Sequence, residues 1–60
     1  PSDIFGDDAN FLLGKIYEEN LKDTQKAEEY YKKQLIDYAG SVYVVEARKR
    51  IRKLRGEIIN

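Results

Sequence analysis

Two short patterns constrain this chain more than anything else in it. Leu13-Gly14-x-x-Tyr17 sets a glycine one turn before an aromatic ring, and Ala27-x-x-x-Tyr31-x-x-x-Leu35 sets an alanine one turn before another. Small residues at those places let two helices approach closely, and the aromatics then fill the space between them. Tyr38-Ala39-Gly40-Ser41 closes the second pattern with a turn signal. Glycine in a helix interior costs about 1 kcal/mol relative to alanine, so Gly14 is expected to admit the backbone of the second helix.

The remaining elements follow the same spacing. Residues 1–6 read as an irregular lead-in with Ile4 and Phe5 as an apolar anchor. A first helix starts at Asp7 or Asp8, whose carboxylates suit the N-terminal cap and the helix dipole. Its apolar positions are Phe11, Leu12, Leu13, Ile16, Tyr17 and Leu21. Asn20 to Asp23 form a turn, and Asp23 or Thr24 caps a second helix carrying Ala27, Tyr30, Tyr31, Gln34, Leu35 and Tyr38 on one stripe. Gly40 suits a left-handed cap at its end, and Ser41 caps a third helix. There Val44, Ala47, Ile51, Leu54 and Ile58 form a narrow seam in a charged surround. The fold class is therefore all-α: an antiparallel hairpin over residues 7–39 followed by an amphipathic helix over 41–58. The expected packing residues are Leu13, Gly14, Tyr17, Ala27, Tyr31, Leu35, Ala47, Ile51 and Leu54.

Composition narrows the chemistry. At 60 residues the chain buries only about 60% of its unfolded surface, and with no cysteine it has no disulfide or thiolate-metal staple. It also has no histidine, so the usual zinc ligands, nucleophile-base pairs and acid-base residue are missing together. No cofactor, metal or catalytic residue is expected, and the reading is of a non-enzyme. Apolar runs are too short for a membrane span, and Pro1-Ser2-Asp3 lacks a signal-peptide pattern. The start at Pro1 points to a piece of a longer or processed chain, and nothing chooses between cytoplasm and cell envelope. A net charge of zero hides a dipole. Residues 1–40 hold five cations and nine acids, a net −4, while residues 41–60 hold six cations and two acids, a net +4.

Leu13, Gly14, Tyr17, Ala27 and Tyr31 together resemble one tetratricopeptide repeat spanning about Ala9 to Ser41. The resemblance implies a helical hairpin that holds another protein. The sequence departs from the repeat at Asn10, where the family has a large residue, at Gln34 in place of a second alanine, and at Ala39 in place of a proline. Gln34 is expected to push a following helix outward, and the Gly14–Ala27 interval is one residue longer than usual. The third helix does not repeat the pattern and reads as a capping helix. Gly40 to Arg48 is similar to the end of repeat arrays in bacterial, often envelope-associated, proteins, which implies a C-terminal fragment. The family's ligand-contacting positions fall on Phe11, Lys15 and Glu18, and on Arg50 and Lys53 if the third helix occupies the next first-helix place. On that alignment Lys15 and Arg50 are placed to hold an acidic peptide tail, but the asparagines that the family's carboxylate-holding variety also uses there are missing, which leaves the ligand class open.

Three features admit a sharper and a plainer reading. The run Arg48-Lys49-Arg50-Ile51-Arg52-Lys53-Leu54-Arg55 suits a phosphate backbone or an anionic surface, which gives the alternative function of a small nucleic-acid binder. The plainer reading, a solvated final helix complementing its own dipole, is preferred because the rest of the chain is acidic. The acid pairs Asp7-Asp8, Glu18-Glu19 and Glu28-Glu29 point about 100° apart on a helix and are not expected to converge on one atom without a third ligand. Capping and the ion pairs Glu28–Lys32 and Glu29–Lys33 account for them. Of the tyrosines, Tyr17 and Tyr31 are expected between the helices, with Tyr30 at an edge. The sequence thus reads as a protein-interaction scaffold. Its open faces, with Phe11, Leu12, Val45 and Ile59 uncovered, and its weak stop at Ala39 favour self-association or a swap of the third helix.

Overall fold

In the computed structural model, which describes residues 6–56, the first helix α1 (Asp7–Lys15) begins after Gly6 without a side-chain cap. The Gly6 carbonyl accepts the Asn10 N–H at 3.0 Å, and the Asp7 carboxylate takes the neighbouring Asp8 N–H at 2.9 Å. The expected capping by Asp7 or Asp8 is thus replaced by two acids inside the first turn, where the positive end of the helix dipole favours them. Ile4, Phe5, Ile58 and Ile59 lie outside the described residues.

The first helix does not end as an ordinary α-turn. It widens into a π-helical turn over Ile16–Asn20, in which the Leu21 N–H bonds the Ile16 carbonyl at 3.0 Å and the Asp23 N–H bonds the Tyr17 carbonyl at 2.8 Å. A π-turn spans one residue more than an α-turn, so it takes up the extra residue between Gly14 and Ala27. Lys22 reverses the chain with φ of 57°, and the Asp23 carboxylate caps α2 (Thr24–Asp37) by accepting the Lys26 N–H at 3.0 Å.

α2 stops at Asp37, where Tyr38 leaves helical geometry at φ −126° and ψ 47°. Gly40 does not supply the left-handed cap expected of it. The turn closes by a Ser41 N–H to Tyr38 carbonyl bond of 2.8 Å and needs no positive φ at Gly40. Ser41 stands too early to be the cap residue of α3 (Val44–Leu54); its hydroxyl accepts the Tyr43 N–H at 3.0 Å and so shapes the approach to that helix. α3 is shorter than the 41–58 span read from the sequence, because Gly56 adopts φ of 78° just beyond it.

The result is an all-α three-helix unit in which α2 packs against both neighbours. Its core is Phe11, Ala27, Tyr31, Ala47 and Ile51, with Tyr17, Leu35, Tyr43 and Leu54 partly buried against it. Gly14 is buried too, but the group lying on it is the Tyr31 ring and not the backbone of α2: a Cβ there would stand 2.6 Å from Tyr31 Cε1. Leu13, expected in the core, is 37% exposed, because the buried arc of α1 runs through Asn10, Phe11 and Gly14 and leaves Leu13 off it. Tyr30 stacks on Tyr17 at 5.5 Å between ring centres, at the edge of the hairpin.

The two polar departures from the repeat pattern meet each other inside. Asn10 Nδ2 donates to Gln34 Oε1 at 2.7 Å and to the Tyr30 carbonyl at 2.9 Å. Gln34 Nε2 donates to the Asp7 carbonyl and to Ser41 Oγ, each at 3.1 Å. Gln34 therefore ties the segment after α2 to the hairpin, where the sequence suggested that it would prop a helix away. Buried amides cost little when they are hydrogen-bonded, and among the described residues no buried side-chain nitrogen or oxygen lacks a partner. No helix among the described residues is long and apolar enough to cross a membrane.

Candidate functional site

Three of the four charged residues singled out from the sequence, Glu18, Arg50 and Lys53, assemble at one place, around Arg50. The π-turn brings Glu18 and Glu19 to the side of α1 that faces α3. Arg50 Nη1 then donates to Glu18 Oε1 at 2.9 Å and to Glu19 Oε2 at 3.0 Å, while its Nε donates to Glu46 Oε2 at 3.1 Å one turn back along α3. The acids of the Glu18-Glu19 pair do converge on one atom, contrary to the expectation from helix geometry, because the guanidinium lies across the turn within reach of both flexible side chains. From α2, the Tyr31 hydroxyl donates to the same Glu18 oxygen at 2.6 Å, and Lys53 Nζ stands 3.9 Å from the other. One carboxylate thus joins all three helices.

This clasp is largely withdrawn from water, with the Glu18 and Arg50 side chains 8% and 19% exposed. Beneath it, Arg50 lies over the Phe11 ring at 6.0 Å, and Phe11 in turn stacks on Tyr43 at 4.7 Å. Burial by itself would raise the Glu18 pKa, but the Tyr31 hydroxyl, Arg50 and Lys53 outweigh it and hold the carboxyl below the ordinary glutamate range. Burial, reinforced by the Glu18 carboxylate, pushes the Tyr31 hydroxyl well above the usual tyrosine range. Neither group exchanges a proton near neutral pH. Arg50 would be lowered by burial, but Glu19, Glu18 and Tyr31 hold its proton still more firmly. The arrangement is a fixed electrostatic joint.

Several expectations change accordingly. Phe11, placed in an open groove by the repeat alignment, is buried and offers its ring to Tyr43, Tyr31 and Arg50. Arg50, paired there with Lys15 as a holder of an acidic peptide, already has three carboxylates of its own chain. Glu18 is nearly buried, and Lys53 is exposed at the rim. Lys15 is half-buried and forms no ion pair among the described residues. The roles of Glu19, Glu46 and the Tyr31 hydroxyl escaped the sequence reading; only the Glu46–Arg50 spacing of four residues signalled any of them. Elsewhere Lys33 pairs with Asp37 at 2.9 Å and not with Glu29, while Glu28 meets both Lys32 and Arg55.

No protein family, curated protein or solved structure matches this chain. The class that the fold itself defines is an all-α three-helix unit whose last helix is fastened to the hairpin through Arg50.

Proposed function

We propose that this chain is a non-catalytic protein-interaction module of the tetratricopeptide-repeat type. The observation that carries the reading is the second apolar face of α1. Phe11 and Gly14 turn inward, while Leu12, Leu13 and Ile16 occupy the opposite arc with Ala9, and Leu12 is 56% exposed. A helix apolar on two faces is expected where it must contact a second body as well as its own core. Of the basic run from Arg48 to Arg55, Arg50, Lys53 and Arg55 are engaged by acids of this chain, which weighs against the alternative of a phosphate-binding helix.

A photo-crosslinking residue at Leu12, with controls at Lys15 and Lys26, tests the reading in cells. Discrete protein adducts from Leu12 and none from Lys26 are expected. Absence of adducts at both Leu12 and Lys15 would remove the proposal, and binding of generic single-stranded nucleic acid that collapses with salt would replace it by the phosphate reading.

A further inference from the structure

The second apolar face of α1 stands directly opposite the arc that the helix buries. Helix geometry sets Leu12, Ile16, Ala9 and Leu13 within about 100° of one another, turned away from Asn10, Gly14 and Phe11. Along one border of this face run two charges of opposite sign, Asp8 and Lys15, about two turns apart. Lys15 forms no ion pair among the described residues. Asp8 is exposed and bonds the Tyr43 hydroxyl, which takes one of the roughly four acceptor positions of a carboxylate and leaves the others open.

We propose that a second copy of this chain covers this face, in an antiparallel pair of α1 helices about a two-fold axis at Leu12; the inference names the occupant of the face that carries the scaffold reading and rests on that reading. A two-fold contact requires a patch that complements itself. Two copies of α1 run antiparallel past Leu12 set that leucine on its own counterpart and Ile16 beside the second copy's Ala9. The same register brings Asp8 within one residue's rise, about 1.5 Å along the axis, of the second copy's Lys15, and the symmetry forms that ion pair twice. Other occupants fit less well. A helix with charges of a single sign satisfies one of the two border groups and repels the other. Helices that lie on bilayers are fringed with lysine and arginine, whereas this border sets its lysine against an acid. With nine residues, α1 offers less than the roughly 800 Å² per partner of a standard interface, so the pair is a transient one.

The test is static light scattering of the full 60-residue chain from about 10 μM to about 1 mM, with helicity followed by circular dichroism. The average mass should climb from 7.0 kDa toward twice that value. Lys15→Glu and Asp8→Lys, each alone, should weaken association about tenfold, because each sets like charges across the axis. An equimolar mixture of the two variants should associate again, since both cross-pairs re-form between unlike copies. Leu12→Ser should abolish association, and Lys26→Glu on α2 should leave it unchanged. Should Asp8→Lys lose helicity, Lys15→Glu and Leu12→Ser decide the matter without it. The pair is overturned by a chain that stays monomeric throughout, by association indifferent to Lys15→Glu and Leu12→Ser, by a mixture of two folded charge variants no stronger than its components, or by a monomer that seats Leu12 on phospholipid vesicles. A monomeric chain whose Leu12 crosslinks only to other proteins overturns the pair and leaves the scaffold standing. Charge-swapped pairing with no adduct at Leu12 in cells does the reverse.

Discussion

At Gly14 one missing methyl decides how far Tyr31 can enter the hairpin. An added Cβ would meet both Cε1 and Cδ1 of that ring closer than 3 Å, and the ring is fully buried and anchored through its hydroxyl to Glu18. Gly14→Leu should therefore lose about 1–3 kcal/mol to overpacking, more than the roughly 1 kcal/mol that helix propensity returns. A raised or unchanged melting temperature would contradict the packing; Gly14→Ala combined with Tyr31→Leu should recover part of the loss. Lys22 presents the opposite case. With φ of 57° it holds a left-handed conformation that costs a side chain about 1 kcal/mol, so Lys22→Gly should raise the unfolding free energy by up to that amount in a urea titration. Asn10 and Gln34 are coupled directly: truncating either to alanine should cost about 1–3 kcal/mol by stranding the other's amide, while Asn10→Leu with Gln34→Leu should cost less than the two single losses added together.

Among the elements, α3 depends most on polar contacts. Ala47 and Ile51 are its only fully buried apolar residues among those described, so the Arg50 clasp carries much of its attachment. Arg50→Ala should destabilise the chain by about 2 kcal/mol, less than the loss of a fully buried pair because Glu19 and Glu46 remain near water. The pH dependence has a definite sign. The Glu18 pKa lies below its ordinary 4.5 in the folded chain, so its contribution is complete above pH 4.5 and is lost as the pH falls through the lowered value. The Tyr31 pKa is raised above 10.0, so its contribution is complete below that pH and declines as the pH rises further. Thermal melts should therefore show a plateau across neutral pH with an acid limb that Glu18→Gln flattens. An acid limb unchanged in that variant would show that Glu18 is not its source.

For the whole molecule, the open apolar arc of α1 and the opposite charges of its two ends predict concentration-dependent self-association. One hairpin and one further helix fall short of the roughly three units that bury a continuous core in helical repeat arrays. Phe11, first counted among the uncovered residues, already lies in the core, while Leu12, Leu13, Leu21, Ile36, Val42 and Val45 are the large apolar residues left exposed among those described. Sedimentation over a wide concentration range should show species above 7.0 kDa, and Leu12→Lys should return them to monomer. A strict monomer at high concentration would end this expectation. Ala39→Pro separates two routes: it should favour monomer if α3 exchanges between chains through the turn at Tyr38–Ser41, and change little if association uses α1.

The sequence by itself determined the helices, because spacing of apolar residues and the caps at Asp23 are local properties that act within a turn or two. It also determined that Gly14 and Ala27 lie where small residues are needed, since only a close approach explains them in helix interiors. What it did not determine was which partners those faces meet. The pairing of Asn10 with Gln34, the burial of Phe11 and the exposure of Leu13 depend on the rotation of α1 against α2 and α3. The meeting of Glu18 and Glu19 on one arginine depends on a π-turn whose geometry is fixed by contacts on both sides. Charges 31 and 32 residues apart along the chain were each legible as solvated helix faces. Only the tertiary structure, by bringing α3 across the end of α1, turned three of those faces into a joint and left Arg48 and Lys49 exposed.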